Sequence, residues 1–108
     1  MKRGDLVIVS AVGDYGKPRP AVVIQSNYVT ATESVLVALL TSALADAPIY
    51  RLNIGPSDAN GLKAPSQVMV DKIVALPREK CGMVIGQIEG AHMIALDRLL
   101  AVVNGIAD

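Results

Sequence analysis

The sequence predicts a mainly β protein closed by one C-terminal α-helix, folded as a small curled antiparallel sheet or barrel. Short runs rich in Val and Ile alternate with clusters of turn-forming residues through most of the chain, and apolar residues recur at helical spacing only after Ala91. The composition agrees, because 52% of residues are hydrophobic but only three are aromatic, which leaves branched aliphatic side chains to fill the core. With 108 residues, we expect one domain over the whole chain, 1–108.

The first two apolar runs predict a hairpin with a long loop. Residues 6–9 form a compact β-branched run, and residues 13–18 contain Gly, Asp and Pro, which favour turns. Proline is tolerated only at the start or the edge of a strand. The second strand is therefore predicted to begin at Pro20 and to continue through Gln25.

Further strands and the helix follow from the remaining pattern. Residues 34–40 are apolar almost throughout, as in a strand covered on both faces; periodicity alone leaves a short buried helix open, and the length favours a strand. Near the C-terminus, helical spacing predicts one amphipathic helix that stops at Asn104-Gly105. The other predicted strands are residues 49–54, 66–71, 73–76 and 83–88, and the apolar residues at helical spacing are Met93, Leu96, Leu99, Leu100 and Val103.

Composition excludes several classes of protein. Ten basic and ten acidic residues cancel, so any affinity for nucleic acid has to come from a local basic patch. One cysteine and one histidine support neither an intramolecular disulfide nor a zinc site, and we expect no metal or other cofactor. The longest wholly apolar run, Val35 to Leu40, is far below the roughly 20 residues that span a bilayer. We therefore expect a soluble cytoplasmic protein without a membrane segment.

Arg19 is the strongest candidate for a functional residue. It lies between Pro18 and Pro20 at the start of a predicted strand, where the fixed backbone angles hold its guanidinium in place. A planar, permanently charged group of this kind suits a phosphate, and Lys17 adds a second positive charge to the same loop. A solvated basic loop beside a strand is the alternative interpretation.

Two segments of the sequence resemble the N-terminal signature of the MazF/PemK toxins. These are Arg3-Gly4-Asp5-Leu6-Val7 and, after a glycine-containing loop, Arg19-Pro20 followed by an apolar strand. The similarity continues through the strand that ends at Thr41-Ser42 and through residues 68–73, so it covers nearly the whole chain. The resemblance implies a compact barrel of the CcdB/PemK kind and a metal-independent endoribonuclease toxin that forms homodimers and is silenced by a cognate antitoxin.

The same resemblance implies a set of site residues. Arg19 matches the family's catalytic arginine, and Thr41 matches the hydroxyl residue that helps hold the phosphate. The reaction is attack of a ribose 2′-hydroxyl on the adjacent phosphorus in single-stranded RNA, such as mRNA, at short sequence motifs. We expect the RNA groove to be completed by Lys17, Tyr15, Gln25 and Ser42.

The general base is not identified by the sequence. Asp71 is the first candidate by its position in the family pattern and Asp14 the second, whereas a structural pairing of Asp71 with Lys72 or Arg78 is equally consistent with the sequence. Some family members carry Arg where this chain has Met69. His92 is interpreted as a polar residue near a helix start, and Cys81, which has no histidine near it in sequence, as a packed thiol.

Two other functions remain open at this stage. The first is a non-enzymatic toxin of the CcdB kind that binds DNA gyrase, a class whose C-terminal helix typically ends in Trp-Gly-Ile. Gly105-Ile106 lies two residues before Asp108, but the sequence contains no tryptophan. This favours cleavage of RNA over binding of gyrase. The second is a relative that keeps the fold and binds the antitoxin without being active.

Overall fold

The computed structural model describes residues 1–10 and 17–108. Over these residues it confirms the mainly β class with a C-terminal helix. The elements are β1 (Asp5–Val9), β2 (Arg19–Val23), β3 (Ser34–Thr41), β4 (Arg51–Ile54), β5 (Ser66–Pro77), a 3-10 turn (Arg78–Lys80), β6 (Cys81–Gln87) and α1 (Gly90–Val103). No helix in this part of the chain has the length and apolar character needed to cross a membrane.

All six strands of the described chain belong to one antiparallel sheet with the order β4-β5-β3-β2-β1-β6. The predicted hairpin is β1 paired with β2, and the ladder between β2 and β3 starts only at Ala21. Pro20 therefore lies at the end of that ladder, where its missing N–H costs least.

The strand β5 differs from the prediction of two separate strands. It is continuous, but its register against β3 shifts, because Ala38 pairs with Ile73 whereas Leu40 pairs with Val68. The extra residues on β5 form an irregularity that bends the strand. The exposed pair Asp71-Lys72 lies in this segment, and in the sequence it looks like a break between strands. One half of β5 pairs with β4, so the bend helps the sheet to curl.

Among the strand ends that differ from the prediction, those of β2 and β4 have a local reason. β2 stops at Val23 because the N–H groups of Ile24 and Gln25 both donate to the Leu36 carbonyl, 3.0 and 3.3 Å away, instead of continuing the ladder. β4 starts at Arg51 because the N–H groups of Tyr50 and Arg51 donate to the Ala47 carbonyl and form a turn.

The sheet is apolar on both faces. One face, which includes the cross-strand row Leu6, Val22 and Ala38, packs against α1 through the fully buried Leu96. The opposite face buries a second cluster, in which Val7, Ala21 and Val37 take part. The alternation follows from the two-residue period of a strand and explains why nearly every residue of β1 to β3 is apolar.

The opening Arg3-Gly4-Asp5 forms a tight structural turn. Gly4 has a φ of 94°, a conformation that disfavours any other residue, and its N–H donates to the Val23 carbonyl at 2.8 Å. Arg3 donates from Nε to the Ile24 carbonyl at 2.9 Å and from Nη2 to Asp97 Oδ1 of α1 at 2.6 Å. This part of the N-terminal signature therefore ties β1 to β2 and to the helix.

Candidate functional site

The candidate site begins with a pair of residues at one end of the sheet. β2 starts at Arg19 and the antiparallel β3 ends at Thr41. The register pairs Ala21 with Leu39, and extending it by two residues sets Arg19 opposite Thr41. Residues directly opposite on antiparallel strands have Cβ atoms about 5 Å apart. The two side chains thus belong to one region of the surface.

Arg19 and Thr41 both line a cleft of about 620 Å³. Ile8, Pro20 and Leu40 also line it, and each lies two residues from Leu6, Val22 or Ala38, on the face of the sheet that packs against α1. Arg19 and Thr41 alternate with these residues, so their side chains leave the sheet on the opposite face and adjoin the cleft at the ends of β2 and β3. The remaining lining residues are Lys17, Pro18, Ser42, Gly61, Leu62, Lys63, Ala64, Ser66, Met83 and Ile85.

The described lining of the cleft is positively charged. Lys17, Arg19 and Lys63 contribute cations, and no aspartate or glutamate is among these lining residues. Lys17 is exposed, whereas Arg19 is half-buried between its two prolines. In a chain whose net charge is zero, this separation of charge produces the local basic patch that binding of a polyanion requires.

The side chain of Thr41 is held in a defined orientation. Its Oγ1 accepts a hydrogen bond of 3.0 Å from the N–H of Ala43. Since a hydroxyl carries one proton and two lone pairs, this contact leaves the proton available for donation. Ser42, the next residue, is exposed at the cleft. Thr41 can therefore donate to an oxygen of an anion bound near Arg19.

A buried amide supports the segment that follows Thr41. Gln67 pairs with Thr41 across the β3–β5 ladder and is 4% exposed. Its Oε1 accepts from the N–H of Ala45 and from Nη1 of Arg51, each at 3.0 Å, and its Nε2 donates to the Ala45 carbonyl and to Asn53. All four hydrogen-bonding positions of this amide are used, which fixes the chain beyond Ser42 against β4 and β5.

The remaining candidate residues from the sequence lie elsewhere. Asp71 is exposed on β5 and is not among the residues that line the cleft. Gln25 lies beyond the other end of β2, with its amide bonded to the Val29 carbonyl, the Thr32 hydroxyl and the Leu36 N–H. These contacts give Gln25 a structural role in its loop. Tyr15 and Asp14 fall outside the described residues.

Lys63 is a cleft residue that the sequence analysis missed. The segment before β5 showed only turn-forming residues, Gly55 to Gly61, with no sign of which strand it packs against. The structure packs it against β6, and this long-range contact brings Lys63 to the cleft. The only local signal was Asn60-Gly61, a dipeptide that favours a tight turn.

Cys81 and His92 are not among the residues that line the cleft. Cys81 packs against the second apolar cluster, and burial raises the pKa of its thiol, an effect that the nearby Arg78 guanidinium partly opposes. His92 lies in the first turn of α1. Within residues 1–10 and 17–108, no three His, Cys, Asp or Glu side chains are grouped closely enough to hold a metal ion.

Comparison with known proteins agrees with the resemblance that the sequence suggested. The family of PemK-like, MazF-like toxins of type II toxin–antitoxin systems matches residues 2–103. A probable endoribonuclease MazF from Mycolicibacterium smegmatis is 41% identical over 108 residues, 99% of each chain.

Solved structures show the same fold. A mycobacterial endoribonuclease in complex with its cognate antitoxin superposes with a TM-score of 0.83 at 23% identity, covering 98% of this chain and 96% of that one. The Mycobacterium tuberculosis toxin MazF-mt6 superposes with a TM-score of 0.80 at 22% identity, covering 94% and 96%. The family match favours the MazF interpretation over the CcdB-like one. The chain is a member of the PemK/MazF toxin family of type II toxin–antitoxin systems.

Proposed function

We propose that this chain is an endoribonuclease toxin that cleaves single-stranded RNA in the cleft bounded by Arg19 and Thr41. One observation carries the proposal: Arg19, whose guanidinium is preorganised, and Thr41, whose hydroxyl proton is free to be donated, line the same positively charged cleft. The name of the 41% identical relative, a probable endoribonuclease, supports the same activity.

The proposed reaction is an internal displacement at phosphorus. The 2′-oxygen of a ribose forms a bond to the adjacent phosphorus, and the bond from phosphorus to the 5′-oxygen of the next nucleotide breaks. The products are a 2′,3′-cyclic phosphate and a 5′-hydroxyl. The 2′-hydroxyl loses a proton, and the departing 5′-oxygen gains one.

Arg19 stabilises the negative charge that grows on the phosphoryl oxygens, because its guanidinium stays protonated and donates several hydrogen bonds in one plane. Thr41 donates one further hydrogen bond to the same phosphate. The positive charge of the cleft fulfils the role that a metal ion has in other nucleases, so we propose that the reaction proceeds without a metal.

The acceptor of the 2′-hydroxyl proton is not assigned to a residue of the cleft. No carboxylate or imidazole occurs among its described lining residues. Asp71 is left out of the proposed site because it does not line the cleft, and Gln25 because its amide is already engaged. Lys17 and Ser42 remain as RNA-binding residues, and Tyr15 remains one on the basis of the sequence alone.

A cognate antitoxin and a second copy of the chain are the proposed partners in the cytoplasm. The similar mycobacterial endoribonuclease was solved in complex with its cognate antitoxin. An antitoxin segment that carries carboxylates suits a cleft lined by three cations, and we expect it to compete with RNA. Gel filtration at micromolar concentration tests the proposed homodimer.

The activity is tested by incubating the purified protein with mixed single-stranded RNA in the presence of EDTA. We expect discrete fragments that end in a 2′,3′-cyclic phosphate, and we expect Arg19→Ala to leave nearly all of the RNA intact over the same time. If wild type and Arg19→Ala both leave the RNA intact, the enzymatic function is refuted. Growth arrest on induction without RNA cleavage would instead support the gyrase-binding alternative, and no arrest would support an inactive relative.

A further inference from the structure

We propose that Lys63 binds a second phosphate of the RNA, next to the phosphate that Arg19 and Thr41 hold. This inference rests on the proposed function and names a substrate-binding residue that the family signature in the sequence did not indicate. It starts from the position of Lys63 in the cleft, on a wall formed by the loop between β4 and β5.

The loop that carries Lys63 is built around one buried side chain. Asn60 is 1% exposed, and its Oδ1 accepts from the N–H groups of Ser57 and Leu62, at 3.0 and 2.9 Å. Its Nδ2 donates to the Gly55 carbonyl at 2.8 Å. A buried amide with all these contacts holds the loop in one conformation up to the residue before Lys63.

Two glycines then fasten this loop to β6. Gly61 has a φ of 69°, and a Cβ atom there would lie 2.2 Å from the carbonyl oxygen of Ile85. A Cβ atom on Gly86 would lie 2.4 Å from the carbonyl oxygen of Ala59. The two backbones approach this closely only because neither residue has a side chain. The wall of the cleft is therefore fixed relative to the sheet that carries Arg19.

Lys63 is exposed and lies between two buried residues of the same segment. Leu62 before it is buried, and Ser66 after it is buried and donates from Oγ to the Ala64 carbonyl at 2.9 Å. A lysine anchored on both sides, with its amine exposed in a cleft that Lys17 and Arg19 also line, adds positive charge where an anion can bind.

The cleft has room for more than one phosphate. Its volume of about 620 Å³ lies within the range of roughly 300–1,000 Å³ that is typical of sites for whole small molecules. In single-stranded RNA, the anions that can occupy such a cleft are successive phosphates of the backbone. Lys63 contributes charge and not base recognition, so its effect is independent of sequence.

The test compares Lys63→Gln with Lys2→Gln. Lys2 is an exposed lysine next to the start of β1, at the opposite end of that strand from the Val9–Arg19 pair, and serves as the matched control. For Lys63→Gln we expect KM for RNA to rise about tenfold with kcat retained. We expect the slope of log(kcat/KM) against log salt concentration to become shallower by about 0.7. Lys63→Arg restores both values, and Lys2→Gln keeps those of wild type.

A binding measurement separates this inference from the proposed function. A mixed-sequence 2′-fluoro RNA oligonucleotide lacks the attacking hydroxyl, so its affinity does not depend on catalysis. If wild type cleaves RNA and Lys63→Gln retains the KM and the salt slope, Lys63 is not a phosphate ligand, while the proposed function stands. If wild type does not cleave RNA, the proposed function fails; equal salt slopes for binding by wild type and Lys63→Gln would then overturn the inference as well.

Discussion

Arg19 and Thr41, 22 positions apart in the sequence, lie at the adjoining ends of two neighbouring antiparallel strands, where the β2–β3 register extended by two residues sets them opposite each other. The register of β2 against β3 produces this relationship, so the apolar pairs Ala21–Leu39 and Val22–Ala38 set the separation of the two polar residues. A slip of one residue would move both side chains relative to the cleft. The core of the sheet thus positions the proposed phosphate site.

Thr41→Val is expected to lower kcat/KM for RNA while leaving the fold intact. The change keeps the branched shape but removes the proton that Thr41 has free to donate, because its Oγ1 already accepts from the Ala43 N–H. Loss of a hydrogen bond to a charged group corresponds to about a ten- to hundredfold decrease. Thr41→Ser serves as the control and should retain most of the activity; equal activity of Thr41→Val and wild type would remove Thr41 from the site.

Gly61→Ala is expected to destabilise the protein. The new Cβ would lie 2.2 Å from the Ile85 carbonyl oxygen, and the φ of 69° adds backbone strain. Together these effects cost about 2–4 kcal/mol in the free energy of unfolding. Gly55→Ala is the matched control, because nothing lies within 4 Å of its Cβ position. Urea denaturation measures both changes, and equal stabilities would contradict the described packing of this loop against β6.

Asp71→Asn is expected to leave kcat/KM and its pH profile unchanged. Asp71 is exposed on β5 and does not line the cleft. The family pattern nevertheless made Asp71 the first candidate for the general base. The substitution therefore tests whether Asp71 is the base, as the pattern predicts, or is not, as its position outside the cleft indicates. A large fall in kcat together with loss of the acidic limb of the pH profile would show that Asp71 is the base.

The Cys81 thiol is expected to ionise at a higher pH than an exposed cysteine. Burial raises its pKa above the ordinary value of 9.0. Because the folded-state pKa is raised, the contribution of the neutral thiol to stability is present below the unfolded pKa and is lost as the pH rises through the folded pKa. Thiolate absorbance during an alkaline titration measures the shift, with Cys81→Ser as the blank. Ionisation at or below the value of a free cysteine peptide would be the contradictory result.

Much of the fold could be predicted because its signals are local. The short, almost continuous apolar runs of β1 to β3 and the helical spacing of Met93 and Leu96 each lie within a few residues of sequence. The continuity of β5 could not be predicted, since pairing with β3 on one side and β4 on the other overrides the polar Asp71-Lys72 step.

The candidate site, like the fold, could be predicted from the sequence only in part. Arg19 could be found because two prolines and a strand start surround it, and Thr41 because the apolar strand that it ends resembles the corresponding strand of the MazF/PemK family. Lys63 depends on the contacts of Gly61 and Gly86 between distant segments, which no local pattern encodes. Gln25 follows directly after an apolar run like a site residue, yet its amide is bonded to its own loop and to Leu36 of β3.

The central claim is that Arg19 and Thr41 act on the same phosphate, and a double-mutant cycle on kcat/KM for RNA tests it most directly. Wild type, Arg19→Ala, Thr41→Val and the double variant are compared, with Arg98→Ala, an exposed arginine on α1, as the control. We expect Arg19→Ala to lose about 10²–10³-fold. We also expect the double variant to lose less than the product of the two single losses, because the two groups share one charge. Losses that multiply independently, or cleavage by Arg19→Ala at the wild-type rate, would contradict the claim.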